Sequence, residues 1–227
     1  KLIKDRRWGF SMQQRFLTSD EVYEDLCEKI EKLVYMPGER LSENELCKIY
    51  GVSRHIVRSA ITRLKDRLLI TVYPQRGTFV SLIDMRLVEK VLYLREALEQ
   101  EAIRLLKFQT AEVRAEMVRQ MWEMIGLQEK IIESRGDMDE FYKIDNAYHA
   151  CLLRAVKKEN VMDLISHHYI HVRRWRNFEL GGTNRQMGLV EEHREITKAL
   201  EQDLYKRAHE QLHVHLNTVE RLSYIFK

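Results

Sequence analysis

The chain has 227 residues, of which 44% are hydrophobic and 32% charged, with 38 Lys and Arg against 35 Asp and Glu for a formal net charge of +3. That is a globular composition, long enough for two modest domains or one large one. It contains no run of about 18 apolar residues, which excludes a transmembrane helix and a membrane partner, and its charged start lacks the apolar core of a signal peptide.

Nine Gly and two Pro, with long stretches free of both, predict a mostly helical protein. Three cysteines, Cys27, Cys47 and Cys151, form an odd set without metal-type spacing and read as reduced thiols of a cytoplasmic protein. Residues 1–18 mix Lys and Arg with Trp8 and Phe10 without periodicity and are set apart as an N-terminal arm. A helix is predicted from Ser19 or Asp20, with an N-cap, early acids and the stripe Val22, Leu26, Ile30, Leu33, ending at Met36-Pro37-Gly38. Ser42 followed by Glu45 reads as a capping box that starts a second helix.

Glu45 to Leu64 reads as two short helices around a tight turn. Leu46 and Ile49 share one face of the first, and Gly51 ends it because it tolerates positive φ. Ser53 is a good N-cap for the next helix, which buries Val57, Ile61 and Leu64. Its opposite face carries Arg54, His55, Arg58 and Ser59. Leu69 to Tyr73 and Thr78 to Leu82 are β-prone runs around a Pro74-Gln75-Arg76-Gly77 turn, a two-stranded wing with Arg76 at its tip. Residues 51–80 hold six Lys and Arg against one acid, so their excess of five exceeds that of the whole chain. An ordinary helical hairpin with a solvated basic face would show the same two helices. The wing and the concentrated positive charge favour a winged helix-turn-helix that meets phosphates and base edges. This domain closes near Leu82 and spans 19–82.

Everything after Asp84 has helical periodicity. Asp84 caps a long helix with the stripe Leu87, Val91, Leu94, Leu98, Ala102, Leu105, and Thr110 caps a second with Val113, Met117, Met121 and Met124 inward. Gly136 breaks the pattern, and Asp137 or Asp139 opens a third helix to about Lys158. A fourth runs from Asn160 to Gly181-Gly182, a fifth from Asn184 to Glu201, and a sixth, capped by Asp203, to about Phe226. The fold class is therefore mainly α: an N-terminal winged helix-turn-helix plus an all-α six-helix bundle over 84–227.

Four residues interrupt the apolar stripes of that bundle. Asp145 and His149 are i and i+4 on the third helix, within Phe141, Asp145, Tyr148, Leu152, Val156. His193 falls within Leu189, His193, Ile196, Leu200, and His215 within Ala208, Leu212, His215, Val219, Leu222. The last two helices run antiparallel about a short turn, which sets His193 and His215 at similar height. Buried carboxylates and imidazoles need partners, and one divalent cation satisfies all four. A single histidine on such a stripe is ordinarily a satisfied core residue; four on three helices favour the ion. His209 and His213 lie off the stripe and read as solvated, while His167, His168 and His171 carry no assignment.

PGERLSENELCKIYGVSRHIVRSAITRLKDRLLITVYPQRGTFV resembles the winged helix-turn-helix of the GntR family of bacterial transcription regulators. The resemblance places Ser53, Arg54, His55, Arg58, Arg76 and Gly77 at double-stranded operator DNA. Three positions depart from the family pattern: Ser59 where Glu is usual, His55 where Thr is common, and Leu68 where Gly usually closes the recognition helix. GDMDEFYKIDNAYHACLLRA, EEHREITKAL and HVHL resemble the effector domain of the FCD branch, in its smaller VanR-like form. That resemblance implies a divalent metal ion, Zn or Ni, on Asp145, His149, His193 and His215. It also implies an effector-binding Arg95, whose plainer role is an ion pair with Glu99. The expected protein is a homodimeric repressor controlled by a small carboxylate metabolite at the metal. Two rivals are a metal-dependent hydrolase using the same Asp and three His, and a regulator whose metal is only structural.

Overall fold

The computed structural model describes residues 17–180 and 185–217, in two compact units: the first runs to Ser81 apart from Glu31–Leu33, which group with the second, from Leu82 on. The predicted arm with Trp8 and Phe10, the Gly181-Gly182 break, and Val219 and Leu222 of the last stripe lie outside the described residues.

The first unit opens with α1 (Ser19–Glu31). Its cap is Thr18, one residue before the predicted start: Thr18 Oγ1 accepts from Glu21 N at 3.2 Å and Glu21 Oε2 accepts from Thr18 N at 2.8 Å. This reciprocal pair is a capping box. Val22, Leu26 and Ile30 are buried as expected, but the helix stops at Glu31, well before Met36-Pro37-Gly38. Leu33 takes a left-handed φ of 59°, and Val34 N and Tyr35 N both donate back to Lys29 O.

α2 (Glu43–Tyr50) starts at Ser42, whose Oγ accepts from Glu45 N, and ends at Gly51, at φ 65° with its N–H on Cys47 O. Leu46 is buried, but Ile49 is 60% exposed. A three-residue step is 60° short of a full helical turn, and in this two-turn helix that carries Ile49 out of the core. α3 (Arg54–Asp66) buries Val57, Ala60, Ile61 and Leu64. Leu68, at φ 59°, closes it, and Leu69 N then donates to Leu64 O. The wing is β2 (Ile70–Tyr73) antiparallel to β3 (Gly77–Val80), with Tyr73 opposite Gly77. The sheet has three strands rather than the predicted two, in the order β1-β3-β2, because β1 (Arg40–Leu41) pairs with the free edge of β3.

The second unit has six α-helices among the described residues, the number predicted. They are α4 (Met85–Leu106), α5 (Ala111–Glu133), α6 (Met138–Ala155), α7 (Asp163–Leu180), α8 (Arg185–Glu201) and α9 (Tyr205–Leu216). Asp84, Thr110 and Asp137 cap the first three through their side-chain oxygens. A 3-10 turn, Glu159–Met162, stands where α7 was predicted to begin. Asp203 does not cap α9: it sits at φ 54°, its carboxylate accepts from Tyr205 OH at 2.6 Å, and Leu204 holds the cap position.

The main core joins α4, α5, α6, α8 and α9 around Phe141, Tyr148, Leu152, Ile196 and Leu212. A smaller cluster packs Val88, Val91 and Leu92 of α4 on Tyr169, Val172 and Trp175 of α7. Two predicted stripes are out of phase. On α4 the buried row includes Val88, Val91, Arg95, Glu99 and Ala102, and Leu94 is 48% exposed. On α5 Val113 is 37% exposed, and the row runs through Met117, Met121 and Ile125 to Gln128. In both helices polar residues occupy core positions that hydrophobicity assigns to neighbours. They face the cluster described next.

Candidate metal centre and nucleic-acid interface

Asp145, His149, His193 and His215 meet in the bundle interior, all buried, with one potential ligand atom from each within 4.8 Å of the others. α6 supplies the first two on adjacent turns, α8 and α9 one each. Tyr148 stacks on the His193 ring at 4.0 Å between centroids and donates its hydroxyl to His193 O at 2.9 Å, fixing α6 against α8.

Each imidazole is held from behind by an oxygen. Nδ1 of His149 lies 2.6 Å from Glu99 Oε2, that of His193 3.0 Å from Gln128 Oε1, and that of His215 2.7 Å from Glu192 Oε2. These acceptors put the proton on Nδ1 and leave Nε2 as a lone pair. The three Nε2 atoms then point at one another: His149 to His215 is 3.0 Å, and His193 to His149 is 3.3 Å. Asp145 Oδ1 lies 3.5 Å from His193 Nε2 and accepts no hydrogen bond.

The electrostatics favour the neutral imidazole at His149 and His193. Burial, then Arg95, hold the His149 imidazole well below its ordinary range, and burial, then His215, do the same for His193. Burial works to raise the Asp145 carboxyl, but Arg176 and the imidazoles beside it hold it well below the usual carboxylate range. Burial pushes the Glu99 carboxyl up against the pull of Arg95. At Glu192 burial is outweighed by His215 and Arg185, which lower its carboxyl. Each carboxylate has its own guanidinium: Arg95 Nε on Glu99 at 2.7 Å, Arg176 Nη1 on Asp145 at 2.8 Å, and Arg185 Nη2 on Glu192 at 2.9 Å.

Three imidazole nitrogens and an unbonded carboxylate oxygen, converging in a buried interior, repel one another unless a cation lies among them. The cluster can therefore hold a metal ion, and its donor set of imidazole nitrogens and one carboxylate oxygen suits a borderline divalent ion.

A cavity of about 200 Å³ adjoins the cluster. Arg95, Glu99 and His149 line it on one side and Ser166 and Tyr169 of α7 on another. Arg95 is 1% exposed, bonded to Glu99 and to the Tyr169 hydroxyl, so the ion pair with Glu99 and the place beside the cavity are both present. Glu99, Gln128, Glu192 and Arg176 were not singled out from sequence as parts of this site. Gln128 carried the one readable signal, a polar residue in the apolar row of α5. His213, 63% exposed in its side chain, bonds Glu96, and neither it nor His209 joins the cluster. His167 and His168 are exposed and His171 is buried.

In the first unit Ser53, Arg54, His55 and Arg58 line the exposed start of α3. Ser53 makes no side-chain capping bond, and Arg58 Nε reaches Glu43 Oε2 at 2.9 Å, a pair not expected from sequence. Arg76 is exposed at the wing tip, its guanidinium 5.6 Å from the Tyr73 ring centroid. Gly77, at φ 114°, suits the turn as an L side chain would not, and a Cβ there would stand 3.1 Å from Arg40 Nε, which would have to shift slightly. Arg40, missed in the sequence, adds a cation beside the wing.

Residues 18–80 match the family model described as bacterial regulatory proteins, gntR family, and residues 90–218 match the FCD domain. A Streptomyces ambofaciens protein described as an uncharacterized HTH-type transcriptional regulator in an unstable DNA locus is 31% identical over 206 residues, covering 88% of this chain and 82% of that one. The HTH-type transcriptional repressor RspR of Escherichia coli K12 is 28% identical over 183 residues, covering 81% and 78%. Among solved structures, a GntR transcriptional regulator from Rhodococcus sp. RHA1 superposes with a TM-score of 0.67 at 19% identity, covering 89% of this chain and 95% of that one. Escherichia coli McbR/YncC gives 0.63 at 18%, covering 92% and 98%. At these identities the structural likeness speaks for the fold alone.

Proposed function

The chain belongs to the GntR family of bacterial regulatory proteins, with an FCD domain after its helix-turn-helix, and on that premise we propose that it is a repressor whose operator affinity a small carboxylate controls at a metal site. This is a family of transcription regulators and not of enzymes, so the hydrolase reading is set aside. Among the described residues no helix is long and apolar enough to cross a membrane.

Residues 19–82 are the DNA-binding domain in this reading and 84–227 the effector-binding and dimerisation domain. Ser53, Arg54, His55 and Arg58 face the major groove, and Arg76 and Gly77 bring the wing to the backbone. A cytoplasmic homodimer presents two recognition helices to a pseudo-palindromic operator. A repressor role is supported by the description of RspR as a repressor.

The observation that carries the effector reading is the convergence of three Nε2 atoms on the unbonded Asp145 Oδ1. Asp145, His149, His193 and His215 would hold the ion, zinc or nickel by donor type. When bound, the ion supplies an electrophilic centre for an anionic oxygen. Because each nearby carboxylate is already matched by an arginine, the two added charges have no counter-charge of the protein's own, which favours an anionic ligand. Arg95, Ser166 and Tyr169 line the space where such a ligand would be oriented. Ligand binding then changes operator affinity by linkage.

The test is metal analysis of protein purified without chelator, followed by gel shift of an operator fragment with and without short mono- and dicarboxylates. An ion in the purified protein and a carboxylate effect that chelation removes are the expected results. Protein that holds no ion, yet is stabilised by a carboxylate after full chelation, would falsify the mechanism.

A further inference from the structure

α4 gives no ligand atom to the cluster, yet it places a fully buried carboxylate beside it. Glu99 is fully buried and bonded at both oxygens. Oε2 accepts from His149 Nδ1 at 2.6 Å, and Oε1 accepts from Arg95 Nε at 2.7 Å. Arg95 and Glu99 are one helical turn apart, and both line the cavity of about 200 Å³ with His149. Arg95 also bonds the Tyr169 hydroxyl, another cavity-lining group. The other two imidazoles are held by Gln128 and Glu192, which are not among the cavity's lining residues.

From this we infer that Glu99 is a positioning residue that couples the cavity to the ion-holding cluster, fixing the His149 ring through one oxygen and the cavity-facing Arg95 through the other. The inference rests on the metal reading above. A carboxylate is a rigid plane, so its two oxygens cannot move independently. Whatever draws the Arg95 guanidinium toward the cavity reorients the group that aims His149 Nε2. Removing such an outer partner ordinarily weakens metal affinity by about 10–100-fold. A merely structural Glu99 would cost stability without linking the Arg95 hydrogen bond to ion affinity, since Arg95→Lys keeps the positive charge that acts on His149.

The experiment is a double-mutant cycle on the full chain, read as Zn²⁺ affinity by competition with a chromophoric chelator and as the visible absorption of the Co²⁺-loaded protein. Glu99→Gln keeps the shape and removes the charge. It is expected to weaken Zn²⁺ binding about 10–100-fold and to change the Co²⁺ spectrum. Arg95→Lys is expected to weaken Zn²⁺ binding in the parent and to have little further effect in the Glu99→Gln background, because the two act as one unit. In the Glu192→Gln background the Arg95→Lys loss should persist in full. Parental Zn²⁺ affinity in Glu99→Gln, or an Arg95→Lys loss of equal size in both the parent and Glu99→Gln, overturns the coupling while leaving the metal site standing. A parent that binds no Zn²⁺ overturns the metal reading itself, and this inference with it. Should Glu99→Gln fail to fold, Arg95→Lys alone decides: unchanged Zn²⁺ affinity and Co²⁺ spectrum overturn the coupling.

Discussion

Arg176 donates through Nη1 to Asp145 Oδ2 at 2.8 Å, while the other oxygen of the same carboxylate accepts no hydrogen bond. The arginine neutralises the carboxylate and fixes its plane. It leaves Oδ1 as the one oxygen free to face the three imidazoles.

Removing Arg176 takes from a buried carboxylate the guanidinium that neutralises it and bonds its Oδ2. In chelated protein Arg176→Met should therefore lose about 3–5 kcal/mol of unfolding free energy, the usual cost of breaking a buried ion pair. Saturating Zn²⁺ should narrow the gap, because a cation at Oδ1 offsets the lost guanidinium. Urea unfolding with and without Zn²⁺ measures both, and a gap unchanged by Zn²⁺ would argue that Asp145 does not meet the ion.

An ion held by Asp145, His149, His193 and His215 would join α6, α8 and α9, so its removal should soften the bundle. At a free concentration a thousand times its Kd a bound ion adds about 4 kcal/mol. Chelation should accordingly lower the Tm by roughly 10 °C. His193→Ala should lose most of its metal in elemental analysis and show a much smaller chelator-induced shift, with DNA binding by the first unit less affected.

The metal-free protein should weaken in mild acid. Burial holds the His149 and His193 imidazoles well below their ordinary 6.5. As pH falls, the unfolded chain takes up these protons first. The contribution is thus complete above about pH 6.5 and is lost as pH falls toward the folded values, at about 1.4 kcal/mol per histidine per pH unit. Urea midpoints of chelated protein should drop between pH 7.5 and 5.5, and a flat profile would show that these imidazoles are not held neutral.

Leu68 closes α3 in the left-handed region at φ 59°, and the residue is 54% exposed. An L-residue there costs about 1–2 kcal/mol that glycine does not. Part of that gain is offset by the extra freedom of glycine in the unfolded chain. Leu68→Gly should stabilise the protein by about 0.5–1 kcal/mol in urea unfolding, and a loss of stability would mean that the Leu68 side chain contributes more than its exposure suggests.

Arg54 is exposed at the start of α3 and has the fork that suits a guanine edge. If it reads a base, Arg54→Ala should cost about 1–3 kcal/mol of operator binding and relax specificity at one position. Arg76→Ala at the wing tip should weaken all sequences evenly and reduce the salt slope by about one. Fluorescence anisotropy at several salt concentrations separates the two patterns; equal affinity in Arg54→Ala at fixed salt removes it from the reading set.

The winged helix-turn-helix, the six-helix bundle and the convergence of Asp145, His149, His193 and His215 were legible in residue pattern alone. Period and spacing were enough for these, because Asp145 and His149 lie one turn apart and His193 and His215 replace apolar residues in clear stripes. The sequence also marked the exposed arginines of α3. Only the tertiary structure decided the rest. Periodicity gives the face a helix buries to within a broad arc, but not which neighbour that face meets. The phase of α4 therefore slipped past Leu94, and Glu99 became visible as a partner of His149 only when α4 packed on α6. Gln128, Glu192 and Arg176 lie 23 to 65 positions away from the side chains they hold, distances over which no local pattern carries information. The third strand at Arg40–Leu41 is likewise two residues long, too short for any alternation, and it exists because β3 offers it an edge.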